Sequence, residues 1–287
     1  MKPGRVAVTG ASGLVGSALV PALRRDGCEV MAVARPRGVL DTAALEGADA
    51  VVHLAGAPIG RRWMAARKRE ILDSRVSGTQ RVAEAIARAR PTPRSLICAS
   101  AVGYYGNRGD EWLDEDSVPG TDFLAEVTAA WERAAEPARA AGVRVVHLRL
   151  GIVLSPGGGA LPRMLTPFSL GVGGRLGNGR QWMSWIALSD LLSVFRFALA
   201  SDELSGAVNA VAPEPVTNAE FARTLARVLR RPAIFPVPAV VLRAIFGEMA
   251  GATILASQRA RPARLERAGF RFAQPRLESA LRHELGR

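Results

Sequence analysis

The stretch TGASGLVG, from Thr9 to Gly16, is the feature that most limits what this chain can fold into. Three glycines, Gly10, Gly13 and Gly16, follow a short apolar run and open a segment with apolar residues at helical spacing. In that context the first glycine permits a tight turn, the second lets the backbone approach a pyrophosphate, and the third allows close helix–strand packing. The helix N-terminus then offers free N–H groups and a positive dipole end to phosphates. We therefore predict a dinucleotide-binding unit, with a purely structural glycine turn as the alternative.

Apolar runs rich in β-branched residues recur along the chain and are separated by amphipathic segments. The runs lie at 5–10, 29–35, 48–56, 94–100, 143–150 and 206–212. Continuous apolar strands alternating with helices indicate a parallel sheet covered on both faces. The sequence thus predicts an α/β fold, a doubly wound parallel sheet (Rossmann) with a smaller C-terminal substrate lobe.

The strand–helix rhythm breaks after Gly151 into a stretch rich in glycine and proline. We place a nucleotide-binding Rossmann domain at residues 1–155, which also receives the strand near 206–212. Residues 156–287 then form mainly a substrate-binding and C-terminal helical lobe.

The composition narrows the class of protein. The formal net charge is +12, but Lys2 and Lys68 are the only lysines and the arginines are dispersed along the chain. No basic run interleaved with aromatic residues is present, so we do not expect nucleic-acid binding. No stretch approaches the roughly 18 apolar residues of a membrane span, and a secretory h-region is lacking, which favours a cytoplasmic location. Cys28 and Cys98 are isolated and read as core thiols, and the dispersed histidines predict no metal site.

The end of the second predicted strand indicates which dinucleotide binds. NAD-binding domains usually place a carboxylate there for the ribose 2′-hydroxyl, whereas this chain has Arg35, with Arg37 close by. A guanidinium pairs with a 2′-phosphate through charge-assisted hydrogen bonds. We therefore expect NADP(H) as the cofactor, the alternative being that Arg35 is an ordinary surface arginine.

Further motifs resemble a known family. The segments AGAPI with RRW, SAVGYYG, PFSLGVGGRLGNGRQWMSWI and GEMAGATILASQRARPARLERAGF resemble the epimerase-family branch of the extended short-chain dehydrogenases/reductases. The resemblance runs from about residue 5 to residue 285. It implies that HLAG passes beside the cofactor, that Glu70 and Arg75 face the cofactor, and that Val153 lies near the nicotinamide end. His53 is then expected to be an oriented strand-end residue, with a base as the alternative, and Arg149 either lies beside the nicotinamide end or only pairs with a carboxylate. The cofactor-binding residues predicted in this way are Gly10, Ser12, Gly13, Leu14, Val15, Gly16, Arg35, Leu54, Ala55, Gly56, Glu70, Arg75 and Val153.

The usual acid–base pair of the resembled family is missing. Short-chain dehydrogenases carry Tyr-x-x-x-Lys on the helix after the fourth strand, where the lysine lowers the tyrosine pKa. Comparison with the family places Asp122 and Glu126 at those two positions. Ser100 and Tyr105 are the candidate catalytic residues that remain, although a phenol without a lysine keeps a pKa near ~10 and donates weakly. A desolvated Asp122 or Glu126 is a second option, and loop packing of GYYG a third.

The resemblance also implies a substrate pocket lined by the glycine-rich segment. The predicted substrate-binding residues are Tyr104, Arg175, Arg180, Gln181 and Trp185. These side chains offer donors for anionic or hydroxyl-rich groups and flat faces for rings. Asp190 is expected to cap the helix that follows.

The sequence supports two hypotheses about the function. The first is an NADP-dependent oxidoreductase or epimerase acting on a sugar-like or nucleotide-linked small molecule, with the hydride chemistry carried by the cofactor. The second is a catalytically weak or inactive NADP-binding sensor or partner protein, which the missing pair favours. We expect a small-molecule substrate, with an anionic substrate as one option. We expect no membrane partner. A homodimer is compatible with the sequence.

Overall fold

The computed structural model describes residues 4–33 and 45–287. The strands are β1 (Arg5–Thr9), β2 (Glu29–Val33), β3 (Ala50–His53), β4 (Ser95–Ala101), β5 (Trp112–Leu113), β6 (Arg144–Leu150), β7 (Ile152–Leu154), β8 (Trp182–Met183), β9 (Trp185–Ala187), β10 (Gly206–Ala210), β11 (Val216–Thr217) and β12 (Arg259–Ala260). The helices are α1 (Leu14–Arg25), α2 (Ala65–Arg88), α3 (Phe123–Arg133), α4 (Glu136–Ala140), α5 (Leu161–Ser169), α6 (Leu188–Ala200), α7 (Asn218–Leu229), α8 (Ala239–Phe246), α9 (Ala263–Arg267) and α10 (Leu277–Glu284).

Six strands form one sheet in the order β10-β6-β4-β3-β1-β2, and every neighbouring pair is parallel. The order reverses between β1 and β3, so the two halves of the sheet are wound in opposite directions. The carboxyl ends of β1 and β3 flank a crevice at that point, which is where ligands bind in open α/β sheets. The predicted doubly wound parallel sheet is confirmed.

Alternate residues of the strands face opposite helical layers. Val6 and Val8 of β1 pack into a core with α1 and α6, where Leu19 and Phe195 are fully buried. Ala7, between the two valines, faces the other core, which β3, β4 and β6 form with α2 and α4. Because both faces of the sheet are covered, most of the residues in its strands are apolar.

The predicted helix after the fourth strand is two helices. Helix α3 begins where the Asp122 side chain accepts from the Ala125 amide, 2.9 Å away. It ends at Arg133, and α4 starts anew at Glu136 with Pro137 in its first turn. Proline lacks an N–H and its ring obstructs the preceding helical turn, so it is suited to a helix start and not to an interior.

A second core lies beyond the sheet. Trp185 of β9 is fully buried there, among apolar side chains of α5, α7 and α10. Within this lobe β11 pairs with β8, and two further short pairings, of β9 with β7 and of β12 with β5, link it to the preceding part of the chain. Residues 156–287, predicted as a mainly helical lobe, hold helices α5 to α10 together with strands β8 to β12. The exact boundary between the two predicted domains stays a prediction.

Within residues 4–33 and 45–287, no helix combines the length and apolarity that crossing a membrane requires. Cys98 is buried and Cys28 half-buried, and both are free thiols.

Asp190 does not cap α6, contrary to the expectation from the sequence. It lies inside the first turn of that helix, 1% exposed, and its two carboxylate oxygens accept from the amides of Ala273 and Gln274, 2.8 and 2.9 Å away. The carboxylate thus fastens the chain between α9 and α10 to the side of α6.

Asp190→Ala removes that fastening and leaves two amide donors unpaired. We expect a loss of about 3 kcal/mol in the free energy of unfolding, because each buried unsatisfied donor costs ~1–3 kcal/mol. Urea unfolding measures the change. Glu266→Ala, at an exposed position in α9, is the control and should stay within about 0.5 kcal/mol of the parent. Equal stability of the two variants would contradict the assignment.

Candidate functional site

The glycine turn between β1 and α1 has the geometry that close backbone approach demands. Gly10 has φ +70°, and a Cβ there would lie 2.8 Å from the Ala55 nitrogen and 2.8 Å from the Leu54 carbonyl carbon. A Cβ on Gly16 would lie 2.7 Å from the Ala11 Cα. Only glycine fits at either position, and the turn packs directly against the HLAG segment after β3.

The N-terminus of α1 is open. Gly13 is the N-cap residue, no side chain caps the helix, and the first turn holds no acidic residue. The backbone N–H groups of that turn are therefore available to an anion. Ser12 and Gly13 are exposed, whereas Leu14 and Val15 are half-buried. Val15 packs against the core of β1 and α6, and the Leu14 side chain lies beside Gly158 and Gly159.

Three segments that were predicted to bind the cofactor converge here. Gly56 is exposed at the end of HLAG, and a Cβ on it would lie 3.5 Å from the Arg75 guanidinium carbon. Val153, in β7, packs against the same core that contacts Leu54 and Val15.

For two of the predicted cofactor-binding residues, the structure gives no support for a contact with the cofactor. Glu70 is exposed on α2 and pairs with Arg67, 2.5 Å away, so its side chain is engaged at the surface. Arg35, with Arg37, lies outside the described residues, and its predicted role toward a 2′-phosphate stays a prediction.

The Ser100 hydroxyl at the end of β4 is already committed to a carboxylate. It donates to Glu132 of α3 across 2.6 Å, and Ser100 is 2% exposed. Arg149, which lies opposite Ser100 on β6, holds the same carboxylate with Nε at 2.8 Å and Nη2 at 2.9 Å. The expected pairing of Arg149 with a carboxylate is confirmed, and its partner is Glu132.

The two tyrosines of SAVGYYG complete this network. Tyr105 is fully buried, and its hydroxyl donates to Asn209 of β10 at 2.7 Å and accepts from Arg149 at 3.0 Å. The Arg149 guanidinium lies 3.5 Å from the centre of the Tyr104 ring. The predicted catalytic role of Tyr105 is opposed by this packing, because its ring is fully buried and its hydroxyl is bonded to Asn209 and Arg149. Tyr104 is half-buried with its ring on Arg149, and its predicted contact with substrate stays a prediction.

The charges of the network stabilise one another. Burial alone would raise the pKa of Glu132, but the bonds and charge of Arg149 and the bond from Ser100 together hold it below its ordinary value. Burial would lower the pKa of Arg149, yet Glu132 raises it above its ordinary value. Burial raises the pKa of Tyr105 to about 12, so the phenol stays protonated.

A row of buried polar side chains crosses the sheet beneath this network. His53, Cys98 and His147 face one another on β3, β4 and β6. The Nδ1 atom of His53 lies 2.6 Å from the Thr9 hydroxyl, in keeping with an oriented strand-end residue. Burial lowers the pKa of His147 to about 4. None of these groups forms a cluster able to hold a metal in the part of the chain that the structure describes.

Asp122, which stands at the position of the family's tyrosine, lies at a different place from Ser100. It lines a cavity of ≈ 440 Å³ between α3 and the segment 243–252. The other lining residues are Arg243, Gly247, Glu248, Gly251 and Ala252. Glu126, one turn further along α3, is exposed. Of the residues predicted for proton transfer, all of them described, Asp122 is the one that lines this cavity.

The residues predicted to bind substrate from the glycine-rich segment do not converge. Arg175 and Arg180 are exposed. Gln181 is buried and donates to the carbonyls of Leu176 and Ile254, at 3.0 and 3.3 Å. Trp185 is fully buried and donates to the Glu214 carbonyl, so the prediction that it contacts substrate is opposed by its place in the second core.

Several residues of the site were missed by sequence reasoning. Glu115 is 5% exposed and accepts from the amides of Asn209 and Arg264, 3.0 and 3.2 Å away. For Glu132 the sequence offered one indication of a role in the site: it comes directly after Trp131 in a helix that follows the strand of Ser100. Glu115 and Asn209 had none, because their side-chain partners are between 52 and 149 residues away in sequence.

Tyr105→Phe tests whether this phenol is structural. Losing the hydroxyl leaves Asn209 and Arg149 each short of a buried bond, so we expect about 2 kcal/mol lower stability in urea unfolding. Tyr104→Phe is the matched control in the same loop and should change stability by less than about 0.5 kcal/mol, since its ring still covers the arginine. Two indistinguishable variants would overturn the assignment.

Glu132→Gln tests the ion pair through its pH dependence. At pH 7 we expect a loss of about 3 kcal/mol, because a buried guanidinium loses its charged partner. The folded-state pKa of Glu132 lies below its ordinary value of 4.5, so this stabilisation is present above pH 4.5 and is lost as the pH falls through the folded-state pKa. The stability gap between parent and variant should therefore narrow in acid. A gap that stays constant from pH 7 to pH 3 would exclude the pair as its source; Glu136→Gln, in an exposed pair with Arg139, serves as control.

Comparison with known proteins gives the same family as the motifs. A sequence model described as "NAD dependent epimerase/dehydratase family" matches residues 6–210, and "Domain of unknown function (DUF1731)" matches residues 237–284. An epimerase family protein of Mycobacterium bovis is 46% identical over 96% of each chain, and the human epimerase family protein SDR39U1 is 38% identical over 97% of this chain and 98% of its own.

Solved structures of similar proteins support the same family. The crystal structure of human SDR39U1 (isoform 2) with NADPH superimposes with a TM-score of 0.91 at 36% identity, covering 98% of this chain and 99% of that one. A nucleoside-diphosphate sugar epimerase of Corynebacterium glutamicum gives a TM-score of 0.82 at 39% identity, covering 99% of this chain and 58% of that one. With a family model over residues 6–210 and relatives alike over nearly their whole length, the chain belongs to the NAD dependent epimerase/dehydratase family, in its branch of epimerase family proteins similar to SDR39U1.

Proposed function

We propose that the protein binds NADP(H) in the crevice between the carboxyl ends of β1 and β3. The observation that carries the proposal is the uncapped N-terminus of α1 behind a turn in which Gly10 and Gly16 admit no side chain. A diphosphate fits such a cradle because it accepts from the free N–H groups and is attracted by the helix dipole. Gly13 and Ser12 would face the phosphates, Leu54 to Gly56 the adenosine side, and Val153 the nicotinamide end.

NADP(H) rather than NAD(H) is proposed on two grounds. Arg35 follows the second strand, where NAD-binding domains place a carboxylate. The similar human protein SDR39U1 crystallised with NADPH.

The bound cofactor would supply or accept a hydride. We propose a sugar-like or nucleotide-linked small molecule as the substrate, with the cavity beside Asp122 as its place. Ser100 and Tyr105 keep their predicted catalytic roles only as proposals, since both hydroxyls are bonded inside the buried network. Asp122 uses one carboxylate oxygen to cap α3 and lines the cavity, so it is our candidate for proton transfer. Glu126 is exposed and does not line the cavity.

The alternative is an NADP(H)-binding sensor or partner protein with little or no turnover. The closed network around Arg149 favours it, because the hydroxyls of Ser100 and Tyr105, the candidate catalytic groups, are used here for internal hydrogen bonds. Incubating the protein with NADP⁺ and a panel of sugar nucleotides, while following absorbance of the reduced cofactor, separates the two functions. Turnover that is lost in Asp122→Asn supports the enzyme; silence across the panel with tight cofactor binding supports the sensor.

Cofactor choice is tested by fluorescence titration with NADPH and NADH. We expect NADPH to bind at least about tenfold more tightly, and Arg35→Ala to abolish most of that preference, because one charge-assisted bidentate pair contributes roughly 1.5–3 kcal/mol. Arg282→Ala, in α10, is the control that should leave both affinities unchanged. Equal affinities in the parent protein would refute the NADP(H) assignment.

A further inference from the structure

The loop that follows HLAG, residues 57–62, is surrounded by guanidinium groups. Arg67 donates to the Pro58 carbonyl, Arg75 to the Ala57 carbonyl at 3.0 Å, and Arg163 of α5 to the Gly60 carbonyl at 2.8 Å. Arg62, at the end of the loop, donates to the Ala244 carbonyl at 2.9 Å. We call Arg62, Arg67, Arg75 and Arg163 the arginine cluster.

The partners of the arginine cluster are mostly carbonyl oxygens, which carry no net charge. Within residues 4–33 and 45–287 the one ion pair formed by the cluster joins Arg67 to Glu70, whose side chain is 56% exposed. An exposed carboxylate is screened by water and compensates a neighbouring cation only weakly. Four guanidinium groups are therefore gathered around one loop with a single solvated counter-charge.

One donor of the cluster is buried without an acceptor: the Nε of Arg67 has no hydrogen-bond partner among the described residues. Arg75 donates through Nη1 to the carbonyls of Ala57 and Ile71. Its guanidinium lies 5.0 Å from the centre of the Trp131 ring, an aromatic face that carries no counter-charge. Burial, with the charge of Arg67, lowers the pKa of Arg75 to about 10. A cation in this state is stabilised by any anion that reaches it.

The cluster lies between the two parts of the site described above. Arg75 contacts the position of Gly56 at the edge of the cofactor crevice, where a Cβ would be 3.5 Å from its guanidinium carbon. Arg62 contacts Gly247, where a Cβ would be 3.6 Å from its Nε, and Gly247 lines the cavity beside Asp122. A ligand that reaches from the cofactor crevice into the cavity would pass along this loop.

We propose that the arginine cluster binds a phosphate or carboxylate group of the substrate, next to the bound cofactor. The proposal rests on the proposed function, because it places the anion beside NADP(H). The cofactor's own diphosphate is the other group that the arginine cluster would bind, so the experiment is designed to distinguish substrate from cofactor. Arg62 and Arg163 are the diagnostic members, since they lie on the side of the cluster away from Gly56.

The probe is inorganic pyrophosphate, titrated by calorimetry at constant ionic strength into protein saturated with NADPH. We expect one site per chain, and about tenfold weaker binding in both Arg62→Gln and Arg163→Gln, each of which loses one charge-assisted contact. NADPH affinity should be unchanged in both variants. Arg282→Gln, a similarly exposed arginine in α10, is the matched control and should bind pyrophosphate like the parent. Thermal unfolding verifies that each variant folds, and either variant alone is sufficient for the test.

The other outcomes overturn the proposal. Pyrophosphate that binds only the protein free of NADPH, and competes with NADPH, would show that the cluster serves the cofactor. If the protein binds NADPH but not pyrophosphate, the arginines only fasten the loop. The proposed binding of the cofactor would then still hold. Failure to bind NADPH at all would refute the proposed function itself, and is read directly from the first titration.

Discussion

The buried guanidinium of Arg149 is the constraint around which this site is organised. Removing a charge from water is costly unless a counter-charge and further hydrogen bonds satisfy it. Glu132 supplies the carboxylate, Tyr105 an oxygen, and Tyr104 an aromatic face. One cation thereby joins the ends of β4 and β6, the helix α3 and the loop after β4, so a change in any of them disturbs the others.

This arrangement explains why a serine and a tyrosine after the fourth strand do not make a familiar acid–base site. The same residue types are present, but the hydroxyl of Ser100 is turned toward Glu132 and that of Tyr105 toward Asn209. Both lie at most 2% exposed. Three other features lie outside this network: a glycine turn at the N-terminus of α1, a cavity lined in part by the carboxylates of Asp122 and Glu248, and the arginine-rich loop between them. That the loop binds an anionic group of the substrate is our proposal.

The fold could be read from the sequence because its signals are local. Apolar runs with glycine after β1 determine strand, turn and helix within a few residues, and the six sheet strands were all predicted to within three residues of their described ends. The break between α3 and α4 was missed although Pro137 marks it. The site was harder, because its decisive contacts join distant parts of the chain: Tyr105 to Asn209, Glu115 to Arg264. Gln181 and Trp185 were predicted to line a pocket because of their polar and aromatic groups. In the structure both are buried: Gln181 donates to two backbone carbonyls, and Trp185 packs in the second core.

The short parallel pairing of β12 with β5 has a consequence for how the chain is made. The Arg261 carbonyl accepts from the Asn209 side-chain amide, and the Arg264 amide is one of the donors to Glu115. Arg264 follows Glu115 by 149 residues, and it also follows β10, the last of the six sheet strands in chain order. During synthesis all six strands therefore precede Arg261 and Arg264, and until these are added Glu115 has the Asn209 amide as a donor but not that of Arg264. The sheet can thus form before the contacts of this loop are complete, as expected where parts of a chain fold in the order of their synthesis.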